Sequence, residues 1–324
     1  MQHRASPAFT AEVTEALAVI EERLMQAAVA DSPFTTEASQ HIIAAGGKRF
    51  RPLLVVLASK LNPDSDFEQV VSSALVMELT HVASLYHDDV MDDADLRRGA
   101  PSANRRWTNS IAIMVGDFLF SRASSQVARL GTDYVLLQAE TFARLVQGQI
   151  AETRGAGEGD DPLGYYLQVV ADKTGSLIAA SARFGGMVAG ASVEVLDALS
   201  RFGEEIGIVF QLSDDIIDIT STRTGKTPGT DLREGVPTLP TLMLKASTDP
   251  ADQDLKALIA GDLSDDAKLV EVLDALRAHP VMDAARAEVD RRADLARAHL
   301  APLPAGEAKE ALMAVCDQVA HRSS

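Results

Sequence analysis

Between Pro63 and Gly99 the chain runs without a glycine or a proline. These are the strongest local breakers of regular structure. Within the stretch, Val71, Leu75, Leu79, Val82 and Leu85 or Tyr86 recur at three- and four-residue spacing, which predicts one long helix. Running from Asp66 to Asp92, it would be about 40 Å long. A second uninterrupted stretch, 208–224, contains FQLSDDIIDIT. Elsewhere Ala, Leu, Glu and Arg recur at helical spacing, β-branched alternation is scarce and aromatics make up only 5%, so the expected fold class is all-α. Loops are expected at 154–164 and 222–240, where Gly and Pro cluster. From about residue 250 onward the pattern predicts amphipathic outer helices of the same domain, with Pro280 and Pro302 as breakers. No low-complexity linker divides the chain, and a single domain over 1–324 is expected.

The balance of 30 Lys plus Arg against 47 Asp plus Glu gives a net charge of −17, which disfavours a general nucleic-acid or anionic-membrane binder. An anionic ligand must then be met by a local basic patch. Cys316 is the single cysteine, so no intrachain disulfide is possible and a reducing compartment fits. Glu12, Glu15, Glu21 and Glu22 interrupt the first apolar segment, which argues against a signal peptide, and nowhere do 18 apolar residues run together. The expectation is a soluble, cytoplasmic protein.

The long helix ends in LYHDDVMDDADLRRG, where Asp88, Asp89, Asp92 and Asp93 crowd together. Like charges one turn apart cost a few tenths of a kcal/mol, and a helix C-terminus favours cations over anions. A hard divalent cation reverses both penalties, because Mg²⁺ prefers carboxylate oxygens and keeps waters or phosphates as its other ligands. The same DDxxD spacing returns at Asp214, Asp215 and Asp218. An acidic run is ordinarily a solvated face, but both copies follow apolar segments, HVASLYH and IGIVFQLS. A calcium loop counted from Asp88 would need Gly sixth and Glu twelfth, where Asp93 and Gly99 stand. Two basic clusters, Lys48, Arg49 and Arg51 in GGKRFRP and Arg97 and Arg98 in LRRG, read alone as solvated surface or as phosphate binders. Beside the paired aspartates they suit a phosphate-rich ligand bridged by Mg²⁺.

Taken together, HDDVMDDADLRRG and FQLSDDIID resemble the two aspartate-rich motifs of the trans-prenyltransferases, the head-to-tail polyprenyl diphosphate synthases. GGKRFRP, DKTG (172–175) and GKTPGTDLREG (225–235) fall in the family's order, and the resemblance runs from about Phe34 to about Leu244. It implies a helical bundle of the isoprenoid synthase type with a central substrate cavity. It also implies an enzyme that joins an allylic diphosphate to isopentenyl diphosphate and releases pyrophosphate. By resemblance, Asp88, Asp89 and Asp92 hold two Mg²⁺ ions, or Mn²⁺ in their place, and Asp214, Asp215 and Asp218 hold a third. Arg97 pairs with the allylic diphosphate together with Lys173 and Lys226. Lys48, Arg51, His81 and Arg98 bind isopentenyl diphosphate without metal, and Asp231 belongs with the substrate-binding residues. Thr174, through its carbonyl, and Gln211 stabilise the carbocation, with Gly175 breaking a long helix so that Lys173 and Thr174 face the cavity. His81 and Gln211 read alone are also ordinary core residues. Relatives carry a further lysine after the GTDL segment. Val236 and Pro237 stand here, with Arg233 as the substitute.

Chain length is read from the face of the long helix behind Asp88. Ser84 and Ala83, four and five positions before it, are small where short-chain relatives often carry an aromatic. Thr80 follows one turn further. One turn, about 5.4 Å, matches one extended isoprene unit, so a deep tunnel and roughly six or more units are expected, closed by Phe142. Small residues here would equally let a neighbouring helix approach. A medium-chain farnesyl or geranylgeranyl diphosphate synthase is the alternative product class. A class I terpene cyclase would not need GGKRFRP with His81, and a non-catalytic subunit of a heteromeric synthase would be expected to lose its aspartates. The resemblance further implies a homodimer.

Overall fold

The computed structural model describes residues 6–220 and 228–322. They run through α1 (Pro7–Ala27), α2 (Pro33–Ala44), α3 (Phe50–Ser59) and α4 (Phe67–Met91), then a hairpin of β1 (Leu96–Arg97) and β2 (Ala100–Pro101). Next come α5 (Ala103–Arg106), α6 (Asn109–Val127), α7 (Thr132–Arg154), α8 (Pro162–Val170), α9 (Ser176–Val188) and α10 (Val193–Thr220). The chain closes with α11 (Thr230–Glu234), α12 (Leu239–Ala246), α13 (Gln253–Ile259), α14 (Asp266–Ala278), α15 (Val281–His299) and α16 (Glu307–Ala320). The two-residue hairpin is the only sheet among the described residues, so the all-α expectation holds. None of the described helices is long and apolar enough to cross a membrane.

Two compact units are formed, each from three stretches. The first takes the chain as far as Arg144, Leu177–Gly203 and Leu300–Leu312; the second takes Leu145–Ser176, Glu204–His299 and the chain from Met313. Neither unit is a contiguous segment of the chain.

In the first unit α4 is the central element. Asp66 caps it, accepting from the Glu68 and Gln69 amides at 2.9 and 3.2 Å, and Asp92 closes it. Its residues are buried on nearly every side, from Val70 to Tyr86, the pattern of a helix inside a core. The Tyr86 hydroxyl donates to the Ala38 carbonyl at 2.5 Å, tying α4 to α2. Gly116 sets the crossing of α6 over α4, since a Cβ there would stand 2.3 Å from His87 Nε2 and 3.2 Å from the Ala83 carbonyl. After α4, Asp93 enters left-handed space (φ 49°) and the chain turns into the hairpin, whose turn places Arg98 (φ 54°) and Gly99 (φ 79°) in succession. Two consecutive positive φ angles are what a two-residue hairpin needs.

The second unit is built on an apolar cluster that includes Ile219, Leu232, Leu244, Leu269, Leu273, Leu276 and Met282. Between α8 and α9 the expected break at Gly175 does not occur. Residues Ala171–Gly175 form a π-helical turn with no break in the helix. Wider than an α-turn, it shifts the register where DKTG lies, and such bulges are frequent at functional sites. A Cβ on Gly148 of α7 would fall 2.5 Å from the Lys173 amide nitrogen, so glycine lets α7 lie directly against this turn. The expected loop at 222–240 contains α11 and the start of α12.

Candidate active site

In the first unit the start of α3, the C-terminal half of α4 and the hairpin bring four arginines and a histidine together. Arg49, in left-handed conformation at the start of α3 (φ 46°), is a strut. Its guanidinium bonds both oxygens of Glu21 at 2.5 and 2.7 Å, Glu78 at 3.1 Å and the Ile43 carbonyl at 2.9 Å. Glu78, 1% exposed in α4, is the carboxylate around which the cluster is assembled. Arg98 donates to the Ile42 carbonyl at 3.0 Å and to the Gly46 carbonyl. Arg51 behaves differently. Burial pulls its guanidinium down to about 10, with Glu78 opposing and Arg98 adding to the effect, and its Nε is buried with no partner. A buried donor left unmet costs about 1–3 kcal/mol. Burial first, then the charges of Arg51, Arg98, Arg97 and Arg49, holds His81 well below its ordinary pKa, so its imidazole is neutral. Lys48 lies exposed at the edge of the loop.

The first aspartate motif adjoins this cluster. Asp89 is fully buried and its Oδ1 accepts from Arg97 Nε and Nη2 at 2.7 and 2.6 Å. Burial raises its pKa, with Arg97 opposing and Asp92 adding to the rise. Asp88 is half-buried and Asp92 exposed. Asp93 and Asp95 are drawn away by Arg105, at 2.9 and 2.7 Å.

In the second unit Asp215 is 2% exposed. Its Oδ2 accepts from the Tyr166 hydroxyl and from the Leu239 amide at 2.8 Å, and its Oδ1 accepts from Gln211 Nε2 at 3.3 Å. Burial pushes this carboxyl up to about 7 against those three donors. Asp214 meets Arg322 Nη2 at 2.7 Å. Asp218 accepts from the Asp231 amide at 3.3 Å, and its carbonyl accepts from the Gly229 amide at 3.0 Å, which fixes the start of α11 against α10. Lys173, in the π-turn beside half-buried Thr174, is paired with Glu152 of α7. Arg233 pairs with Asp266. Lys226 lies outside the described residues.

Among the described residues no three His, Cys, Asp or Glu side chains converge to enclose a metal. The donors are hard oxygens in pairs one turn apart, Asp88 with Asp92 and Asp214 with Asp218. That set fits an ion such as Mg²⁺, which completes its shell with water and phosphate.

Against known families, residues 32–276 match the polyprenyl synthetase model. The chain is 49% identical to the nonaprenyl diphosphate synthase of Mycobacterium tuberculosis over 284 residues, 87% of this chain and 85% of that one. The chain belongs to the polyprenyl synthetase family. Among solved structures, a geranylgeranyl pyrophosphate synthase of Corynebacterium glutamicum, complexed with calcium and isoprenyl diphosphate, superposes with a TM-score of 0.87 at 43% identity, covering 98% of each chain. A decaprenyl diphosphate synthase of Rhodobacter capsulatus does so with a TM-score of 0.86 at 30% identity, covering 98% of this chain and 99% of that one. The fold is that of the isoprenoid synthases.

The residues behind the first motif, expected above to bear on product length, are placed as follows. Ser84 is 8% exposed and its Oγ donates to the His81 carbonyl at 2.8 Å. Thr80 is buried, donating to the Val76 carbonyl at 2.7 Å and accepting from Gln138 at 3.4 Å. Ala83 is fully enclosed, and its carbonyl lies where Gly116 of α6 crosses α4. The Phe142 ring lies 4.5 Å from that of Phe120, which in turn meets His87 edge-on at 5.6 Å. Glu21, Glu78, Tyr166, Glu152 and Arg322 carry no motif, and sequence reasoning missed them. Only Glu78 left a signal, a carboxylate in an otherwise apolar helical run.

Proposed function

We propose that this chain is a long-chain trans-polyprenyl diphosphate synthase, condensing an allylic diphosphate with isopentenyl diphosphate and releasing pyrophosphate. The observation that carries the reading is the buried, unpartnered Arg51 Nε beside Arg98 and a neutral His81. This is an anion site that needs no metal, which a cyclase acting on one diphosphate would not require. Lys48, Arg51, Arg98 and His81 bind the diphosphate of isopentenyl diphosphate there, and His81 adds hydrogen bonding without adding charge. Arg97, oriented by Asp89, serves the allylic diphosphate, and in the second unit the amide of Asp231 ties its segment to Asp218. When bound, Mg²⁺ supplies Lewis-acid stabilisation of the departing pyrophosphate. Asp88 and Asp92 would hold it at the first motif, and Asp214 and Asp218 at the second. Asp89 and Asp215 act from beneath as buried anchors. The Thr174 carbonyl and Gln211 face the carbocation, and the proton leaves with pyrophosphate.

Small Ala83 and Ser84 favour a long product. The 43% identity to a geranylgeranyl pyrophosphate synthase favours a shorter one. Ile113 and Met114 on α6 and Val135 and Leu136 on α7 are large apolar side chains left exposed, available to a homodimer contact. The lone buried Cys316 suits a reducing cytoplasm. Incubating the purified chain with Mg²⁺, labelled isopentenyl diphosphate and each short primer tests the reading. Products of roughly six or more units are expected by turn-counting, and about three or four from Ala83→Phe. No consumption of isopentenyl diphosphate overturns the function. An active Ala83→Phe enzyme with unchanged products overturns the tail route.

A further inference from the structure

Two residues beyond the end of α16, Arg322 folds back onto α10. Its Nη2 reaches Asp214 Oδ1 at 2.7 Å and donates to the Phe210 carbonyl, while the guanidinium carbon stands 3.7 Å from the centre of the Phe210 ring. At 10% exposure the side chain is seated. The fit is nonetheless incomplete, because Arg322 Nε is buried without a partner and an unmet buried donor subtracts from the stability of any pairing. Asp214 itself stays 46% exposed, so its carboxylate keeps a face on which an ion can land.

We propose that Arg322 is a tethered stand-in cation for the second aspartate motif. It neutralises and orients Asp214 in the metal-free enzyme and is displaced when a divalent ion takes that carboxylate. The inference rests on the reading of Asp214 as a metal ligand. Asp214, Asp215 and Asp218 sit near the C-terminal end of α10, where the helix dipole disfavours anions and the carboxylates repel one another. A single guanidinium over an aromatic face relieves that repulsion without any metal. A dication relieves it further, and the exchange proceeds with Asp214 compensated throughout. The coupling is reciprocal: whatever Arg322 subtracts from metal affinity, the metal subtracts from the seating of Arg322.

The test is Mn²⁺ titration of the full chain, read by the electron paramagnetic resonance of free Mn²⁺, with circular dichroism to confirm folding. Arg322→Ala should bind Mn²⁺ roughly threefold to tenfold more tightly, the range expected when a partly exposed ion pair no longer competes. The gain should vanish in Arg322→Ala/Asp214→Asn. Phe210→Leu, which removes the ring beneath the guanidinium, should give part of the gain and serves if Arg322→Ala does not fold. Unchanged or weaker Mn²⁺ binding in the folded Arg322 variant overturns the proposal, and loss of a site in Asp214→Asn would then leave the metal reading standing. If Asp214→Asn loses no Mn²⁺ in either background, both fall.

Discussion

In each aspartate motif the middle residue turns inward, yet Asp89 meets a guanidinium whereas Asp215 meets a phenol, a backbone amide and a carboxamide. A helix rotates about 100° per residue, so the outer pair of DDxxD shares one face and the residue after the first points well off it. The shared spelling therefore hides a division of labour. Asp88, Asp92, Asp214 and Asp218 keep exposed surface, while Asp89 and Asp215 are buried. The partners differ because the neighbourhoods do. The hairpin delivers Arg97 to Asp89, and Asp215 is reached by α8 and by the start of α12. One anchor is an ion pair and the other a hydrogen-bonded carboxyl lifted to about 7 by burial.

The largest effect expected is at the outer positions. Asp88→Ala or Asp214→Ala should cut turnover by about a hundredfold or more, since metal stabilisation of a leaving group is worth several kcal/mol, with little change in melting temperature. Steady-state kinetics on the folded variants decides it, and near-normal activity in either would erase the distinction between outer and inner residues.

Removing the partners of the inner residues separates the two anchors. Arg97→Ala leaves a buried carboxylate unpaired and should cost about 3 kcal/mol of stability. Tyr166→Phe removes one of three donors from Asp215 and should cost about 1 kcal/mol. Chemical denaturation of both variants orders them, and a larger loss from Tyr166→Phe would reverse the assignment.

A smaller effect comes from His81. Its folded pKa lies well below the ordinary 6.5, so between the two values the unfolded chain binds more protons than the native one. The stability contributed is full above about 6.5 and declines as pH falls towards the folded value. Stability measured from pH 7 down to pH 5 should fall less steeply in His81→Gln than in the parent. Parallel curves would mean that the imidazole takes up its proton in the fold as it does in the unfolded chain.

The helix expected from Asp66 to Asp92 is α4, Phe67–Met91, with those two aspartates as its caps. It was readable because the cap chemistry and the absence of breakers act locally. The π-turn at Ala171–Gly175 was not, since a one-residue change of register leaves composition and periodicity intact and depends on α7 pressing against Lys173 through Gly148. The paired carboxylates and the basic loop were legible because clustered like charge is costly without a ligand. Which arginine is a strut and which is left with an unmet buried donor was not legible. Arg49 and Arg51 are two positions apart, and only the burial of Glu78 and the reach of Glu21 tell them apart. Arg322 lies 112 residues from Phe210, and no local pattern announces that meeting.

The most direct test of the metal-free anion site is calorimetric titration of isopentenyl diphosphate into the protein with all divalent ions chelated. Binding should persist without metal and fall by about tenfold or more in Arg51→Ala, the loss of one charge-assisted contact to phosphate. Binding that disappears with the metal, or that Arg51→Ala leaves unchanged, would contradict the account.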